Sequence, residues 1–373
     1  MLNQERDARI WLASVEGVTP ARFRRLLALY GSAQEVFRSF DVQARGILGE
    51  RAYLELAAAR TDAYFDALMD TMRKSGMQAV CTEDPAYPPL LLHIGDPPPV
   101  LFVRGRADLS DARMVAVVGS RRATRYGLRQ AERFGRELAQ AGVTVVSGMA
   151  RGTDTAAHMG CLAGGGRTVA VLGCGVDVVY PPENRELFAR VVGEGGSIVS
   201  EFAPGTEPLP QHFPRRNRII SGMCAGVLVT EAARGSGAMI TAQHALDQGR
   251  EVFAMPGPVD APMSEMPLQL LFEGACLVRG ADDMLGHLRW DAPETEPDEP
   301  DAMPELDADE LTVVRLLENE PLSFDQLLAQ TGFSADKLNM LLTTLEIKEI
   351  MKQLPGCMYI LERSSSHVGG VLP

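Results

Sequence analysis

The chain has 373 residues, a formal net charge of −13, 46% hydrophobic and 23% charged residues. That length carries two or three domains with full cores, and the absence of a run of about 18 apolar residues excludes a membrane span. The polar start, Met1–Arg9, carries no signal-peptide pattern. The six Cys (81, 161, 174, 224, 276, 357) form no C-x-x-C pair, so reduced, buried cytosolic thiols are expected rather than disulfides or zinc.

The charge is unevenly placed. Asp291–Glu310 holds 10 acidic residues and no basic one, leaving −3 of the net −13 for the rest of the chain. Arg104–Arg136 holds nine Arg against Asp108, Asp111 and Glu132. A local positive field on an acidic protein is still a nucleic-acid footprint. A solvated helix face accounts for Arg129, Arg133 and Arg136, but not for Arg121 and Arg122, which sit in a turn.

In chain order, residues 1–74 read as a helical module. Thr19 caps a helix that takes Pro20 in its first turn, and Gly31 ends it. Helix, Gly-turn (Gly17-Val18-Thr19) and helix resemble the helix-hairpin-helix or SAM-like modules that touch DNA backbones. A protein-contact or spacer role fits equally. Residues 75–110 are broken by Pro85, Pro88, Pro89 and Pro97–Pro99, with a short strand at Val100–Val103. From Met114 to about Leu288, strand and helix alternate. The strands are Val115–Val118, Val143–Val146, Thr168–Leu172, Ser197–Ser200, Val227–Thr230 and Glu251–Ala254. The helices between them are Tyr126–Ala141, Thr153–Ala163, Asn184–Val192, Arg216–Met223 and Ala238–Gln248. This predicts an α/β domain, residues 75–290, built on a doubly wound, Rossmann-like parallel sheet. Leu268–Phe272 and a strand at Cys276–Val278 close it.

Asp291–Glu310 is predicted to be a disordered, self-repelling linker. Residues 311–363 follow, with three short helices (Leu311–Leu317, Phe324–Thr331, Ala335–Ile347) and a hairpin (Ile350–Leu354, Met358–Leu361) around Pro355-Gly356, a winged-helix pattern. Its third helix offers Lys337 and Lys348, with Lys352 on the wing, so DNA contact and protein contact both stay open. Residues 364–373 are a tail.

Ligands of such sheets sit beyond the carboxyl ends of the strands. Those ends carry Gly119-Ser120-Arg121-Arg122 and Ser147-Gly148-Met149-Ala150-Arg151-Gly152. A dinucleotide site needs G-x-G-x-x-G after the first strand, and here no second Gly follows until Gly127. A P-loop is missing, and no Lys lies between Lys74 and Lys337. Ser120, Ser147 and Ser200 stand at strand ends, none in G-x-S-x-G. Asp154 and His158 can meet on one helix face, but a helix-start carboxylate and a packed histidine explain them better than catalysis does. Glu183-Asn184 and Glu201 read as cap and turn groups. No metal-ligand spacing is present, and no cofactor is expected. What remains is anion recognition: backbone N–H groups, hydroxyls and guanidinium forks suit phosphate. Phe213-Pro214-Arg215-Arg216-Asn217-Arg218 adds an Arg-rich helix start and an aromatic ring that either stacks on a base or packs in the core.

These residues form an ordered set: Val118-Gly119-Ser120-Arg121, Ser147–Asp154 with Ala157-His158, Ala170–Gly175 with Tyr180-Pro181, Ser200-Glu201, Phe213–Ile220, Glu231-Ala232, Ser236-Gly237, Ile240–Ala242 and Pro256-Gly257. Over roughly residues 80–288 the chain closely resembles the bacterial DNA-processing protein A (DprA, or Smf) family. The resemblance implies an extended Rossmann fold that binds single-stranded DNA without catalysis. It also implies a homodimer formed through that domain, loading of RecA recombinase and displacement of single-strand-binding protein in natural transformation. It carries the contact most firmly to Gly119, Ser120 and Arg121. Arg151, Arg215, Arg216 and Arg218 follow as phosphate contacts, then Arg122 and Arg125, with Ser147, Gly148, Gly152, Phe213 and Asn217 beside them. One stretch departs: where the family has S-x-G-x-N-x-L-I, Met266 replaces the Gly and Leu268 the Asn, so that patch is either a more apolar surface or plain core. The alternative is a nucleotide-processing enzyme of the lysine-decarboxylase-like group, whose P-G-G-x-G-T-x-x-E motif is absent.

Overall fold

The computed structural model describes residues 4–290, 306–317, 321–348, 350–354 and 358–361. Most of the expected linker, the hairpin turn at Pro355-Gly356 and the tail lie outside the described residues. The chain divides into two compact units, Met1–Asp291 and Ala292–Pro373.

The first unit opens with five helices: α1 (Glu5–Ser14), α2 (Pro20–Tyr30), α3 (Ala33–Ser39), α4 (Gln43–Ala59) and α5 (Asp62–Lys74). The sequence signals act as expected around α2. Thr19 Oγ1 accepts from Arg22 N at 3.4 Å, and the Gly31 N–H closes on Leu27 O at 2.7 Å. These helices enclose their own apolar cluster around Trp11, whose indole N–H donates to Ala59 O at 2.8 Å.

The following elements are β1 (Met77–Cys81), β2 (Val100–Gly105), β3 (Met114–Val118), α6 (Arg125–Gln140), β4 (Thr144–Ser147), α7 (Thr153–Ala163), β5 (Thr168–Val171), α8 (Arg185–Gly193) and β6 (Ser197–Ser200). After them come α9 (His212–Gly222), β7 (Gly226–Val229), α10 (Gly237–Asp247), β8 (Glu251–Ala254), α11 (Glu265–Phe272), β9 (Cys276–Leu277) and α12 (Ala281–His287). They build one nine-stranded sheet in the order β1-β2-β6-β5-β4-β3-β7-β8-β9. The strands from β6 to β9 run parallel, whereas β1 and β2 join antiparallel at one edge. The doubly wound parallel sheet is therefore present, extended by the expected strand at Val100–Val103, here β2, and by β1, which the sequence reading did not place. Continuous apolar runs such as Met114–Val118 are buried throughout because helices cover both faces. Helices α6, α7 and α12 pack on one face around Phe134. Helices α9, α10 and α11 pack on the other. Helices α6 and α7 approach so closely that a Cβ on Gly160 would strike the Glu132 backbone carbonyl.

The Met266 departure resolves as packing. Met266 lies in α11 against the core, its N–H bonded to Ala232 O at 3.1 Å, while Leu268 is half-buried.

The second unit contains α13 (Ala308–Leu317), β10 (Leu322–Ser323), α14 (Phe324–Thr331), α15 (Ala335–Ile347), β11 (Met351–Leu354) and β12 (Met358–Leu361), with the sheet order β10-β12-β11. This is the three-helix and hairpin arrangement of a winged helix. Helix α13 begins inside the stretch expected to be linker. Asp307 caps it by accepting from the Asp309 and Glu310 N–H groups at 2.9 and 2.8 Å. Glu310 is buried and pairs with Lys348 at 2.7 Å, so a charge counted toward self-repulsion is neutralised inside the fold.

Phe134 is fully buried between α6 and the sheet. Phe134→Ala should cost about 3–5 kcal/mol, measured as a lower midpoint in urea unfolding of the full chain.

Candidate functional site

The carboxyl ends of β3, β4, β5 and β7 converge where the strand order reverses. The turn after β3 is tied down from below. Ser120 N–H donates to Glu231 O at 2.6 Å, and Glu231 accepts from both Thr124 N and Thr124 Oγ1 at 2.7 Å. Ser120 Oγ accepts from Arg122 N at 3.0 Å, closing the turn on itself. The turn after β4 packs against this one. Thr153 N–H donates to Ser120 O at 3.3 Å. Gly152 has φ of +78°, and a Cβ there would strike Ser120 O. Gly119 has Thr153 Oγ1 2.5 Å from its Cβ position. Both positions therefore require glycine, one for conformation as well as space and the other for space.

The β4 turn is held by buried polar groups. Asp154 accepts from Gly148 N and Ala150 N at 3.1 and 3.3 Å. Asn184 Nδ2 donates to Met149 O and Thr155 Oγ1, both at 2.8 Å. His158 is fully buried. Its Nδ1 faces Thr168 Oγ1 at 2.7 Å, and its Nε2 accepts from Met149 N–H at 3.4 Å. Because Thr168 Oγ1 already donates to Val145 O at 2.7 Å, the His158 proton resides on Nδ1. Burial, reinforced by the Arg216 charge, pushes this imidazole down to about 3. Asp154 and His158 thus support the loop, as the non-catalytic reading expected. Ser147 has the same character, since its buried hydroxyl donates to Val117 O at 2.7 Å.

Helix α9 sorts the arginine cluster by its period. Phe213, Arg216, Asn217 and Ile220 fall on one face and line the groove. Arg215 and Arg218, three apart on another face, both reach the buried Glu201 carboxylate, at 3.0 and 2.5 Å. The structure therefore does not bring Arg215 and Arg218 to the groove, and Glu201 is their counter-ion rather than a turn group. Arg216 lines the groove but is only 3% exposed, its guanidinium bonded to the carbonyls of Gly148 (2.8 Å) and Val171. Burial pushes it down to about 10, so it stays cationic at neutral pH. Asn217 donates to Gly237 O at 3.2 Å and holds the opposite wall.

The result is a groove of about 650 Å³ whose lining includes Gly119 to Arg122, Tyr180, Phe213, Arg216, Asn217 and Ala233 to Gly237. Phe213 forms its aromatic floor. The Arg121 guanidinium lies 5.2 Å from the ring centroid on one side, and the Tyr180 ring lies at 5.5 Å. Arg121 and Arg122 are exposed, and neither has a carboxylate partner among the described residues. Arg151 is exposed at the rim but paired with Glu183 at 2.7 Å. Arg125 is exposed at the start of α6 and is not part of the groove lining. Arg234 escaped the sequence reading; it lies on the wall, largely exposed and paired with Glu265 at 3.0 Å. Its signal was adjacency to the Gly235-Ser236-Gly237 turn, from which α10 points its N-terminus at the groove. In the second unit, Lys337 and Lys348 are engaged by Asp309 and Glu310 at 2.6 and 2.7 Å.

Fold and site together define an open α/β protein with a cationic, aromatic-floored groove at its topological switch point. The chain belongs to the DNA recombination-mediator protein A family, whose model matches residues 78–289. Residues 297–357 match the DprA winged helix domain. Protein Smf of Synechocystis sp. is 32% identical over 401 residues, covering 96% of this chain and 99% of that protein. The X-ray structure of DNA processing protein A from Streptococcus pneumoniae covers 75% of this chain and 97% of that one at 35% identity, with a TM-score of 0.64. The Helicobacter pylori protein, described for its single-stranded DNA binding mode, covers 58% and 98% at 27% identity, with a TM-score of 0.52. The family assignment makes the chain a recombination mediator and displaces the nucleotide-processing alternative. Among the described residues, no helix is long and apolar enough to cross a membrane.

The His158 environment sets a pH dependence. Unfolded His binds a proton near 6.5, while the folded residue resists until about 3. Stability therefore rises with pH across that window, by up to about 1.4 kcal/mol per unit from this residue. Comparing urea midpoints at pH 7.5 and 5, His158→Asn should show a smaller loss on acidification than the parent chain.

Proposed function

We propose that this chain binds single-stranded DNA along the groove, holding phosphates and stacking bases, and acts as a recombination mediator. The observation that carries this reading is Arg121: exposed, without a carboxylate partner among the described residues, and poised 5.2 Å from the Phe213 ring. Phosphates run past the Arg121 and Arg122 guanidinium groups, with the α10 N-terminus adding positive potential. A base unstacked from the strand is received by Phe213 and Tyr180, because every base presents a π-face. Arg151 and Arg234 exchange their carboxylate partners for phosphate at the rim. Arg216, Asn217, Ser147 and Asp154 keep the groove in shape, and Arg215 and Arg218 hold the reverse side of α9. Stacking on Phe213 and Tyr180 needs an unpaired base, which favours a single strand over a duplex.

The mediator role extends to loading RecA recombinase, displacing single-strand-binding protein and working in the cytoplasm during natural transformation. Family membership supports this extension. A homodimer through the Rossmann-like domain is supported by the sheet edge at β9. There Leu277 is 52% and Phe272 89% exposed beside a strand with one unpaired side. Open edges and apolar side chains together favour pairing with a second chain.

A labelled poly-thymidine strand should bind in preference to the same length of duplex, with affinity falling steeply as salt rises. Arg121→Ala should weaken that binding about tenfold on every sequence and lower the salt slope by about 0.7. Unchanged affinity would remove the groove as the site. Sedimentation of Phe272→Glu should give a monomer where the parent chain gives a dimer; a persisting dimer places the interface elsewhere.

A further inference from the structure

At the opposite end of the sheet from the groove, three elements bring together side chains that lie far apart in sequence. Glu251 opens β8, Cys276 lies in β9, and His287 ends α12. Strands β8 and β9 are parallel neighbours with Phe253 opposite Cys276, so Glu251 and Cys276 fall on one flank of the sheet edge. His287 lies over them, its ring edge-on to Phe253 at 5.4 Å between centroids. His287 Nε2 is 2.9 Å from Glu251 Oε2, and Cys276 Sγ is 3.4 and 3.5 Å from the two ring nitrogens. One ligand atom from each residue lies within 4.8 Å of the other two.

We infer that Glu251, Cys276 and His287 form a divalent transition-metal site, with Zn²⁺ as its natural occupant. The donor set is one thiolate sulfur, one imidazole nitrogen and one carboxylate oxygen, which suits a borderline-soft cation and not Mg²⁺ or Ca²⁺. Tetrahedral Zn²⁺ with bonds of about 2.3 Å to sulfur and about 2.0–2.2 Å to nitrogen and oxygen needs S···N and N···O separations of about 3.6 and 3.4 Å. The observed separations lie within 0.5 Å of those values, 3.5 Å for S···N and 2.9 Å for N···O. Because Sγ is almost equally far from both ring nitrogens, His287 must rotate its ring to aim one nitrogen lone pair at the ion while the exposed Glu251 turns outward. All three residues are partly or fully exposed, which leaves the fourth position to water. Cys276 is also distinct from the other described cysteines: Cys81, Cys161, Cys174 and Cys224 are all buried. The ion would clamp α12 to the last two strands and so stiffen the sheet edge that carries Leu277. This site owes nothing to the groove, from which it is separated by the length of the strands.

The test is titration of the untagged full chain with Co²⁺, under a non-thiol reductant, followed by Zn²⁺. The expected result is one Co²⁺ per chain with a thiolate-to-cobalt charge-transfer band, bleached by Zn²⁺ and lost in Cys276→Ser. His287→Gln should weaken Co²⁺ binding at least about tenfold, since even outer partners of metal ligands cost that much. Zn²⁺ should also raise the melting temperature of the parent chain and not of Cys276→Ser. Absence of saturable binding, or a band that survives Cys276→Ser, overturns the assignment and leaves a hydrogen-bonded His287–Glu251 pair beside a thiol.

Discussion

A guanidinium buried at the end of the sheet holds the groove together. Arg216 is 3% exposed and bonds to the carbonyls of Gly148 and Val171, which end neighbouring strands. Gly148 is pressed between Arg216 and the buried Asp154: a Cβ there would lie 2.6 Å from one and 2.7 Å from the other. Removing one partner of such a buried set leaves the other without compensation, a loss of several kcal/mol, about 3–5. The β4 turn, the β5 end and the first turns of α9 are therefore fixed relative to one another by one charge. That charge also lies under Phe213, at 6.0 Å from its centroid, so the groove floor is positive before any surface residue is counted.

Above this anchor, two glycine turns meet backbone to backbone. Gly152 at φ +78° and Gly119 against Thr153 let the β3 and β4 loops share hydrogen bonds without side chains between them. Close approach leaves the Arg121 and Arg122 side chains nowhere to go but outward. Rigidity below and free cations above are the arrangement expected of a site that grips a polyanion without rearranging. An acidic protein with a net charge of −13 can still present such a site, because screening over about 10 Å makes the local field decisive.

Helix α9 shows how one Arg-rich segment is divided between the groove wall and a buried ion-pair cluster. Its period places Phe213, Arg216, Asn217 and Ile220 toward the groove and turns Arg215 and Arg218 to Glu201. The same reasoning applies in the second unit, where Lys337 and Lys348 already have carboxylate partners within the unit. Counting cations along a chain overstates the charge available to a ligand wherever buried carboxylates claim part of it.

The sequence by itself determined the alternating strand and helix order, the strand ends at which the groove lies, the α2 caps and the winged-helix unit. Each of these depends on local periodicity or on a turn residue with a local conformational demand. It favoured a supporting role for Asp154 and His158 over catalysis, since no nucleophile accompanied them, and their hydrogen bonds in the fold supply that role. Only the tertiary structure decided which arginines face the groove, because Glu201 lies well before α9 in the chain and its burial is invisible to spacing. The same holds for the antiparallel pairing of β2 with the remote β6, onto which β1 adds as the edge strand. It holds for Glu251, Cys276 and His287 as well, which share no motif spacing and meet only because parallel strands and a closing helix bring distant segments to one edge.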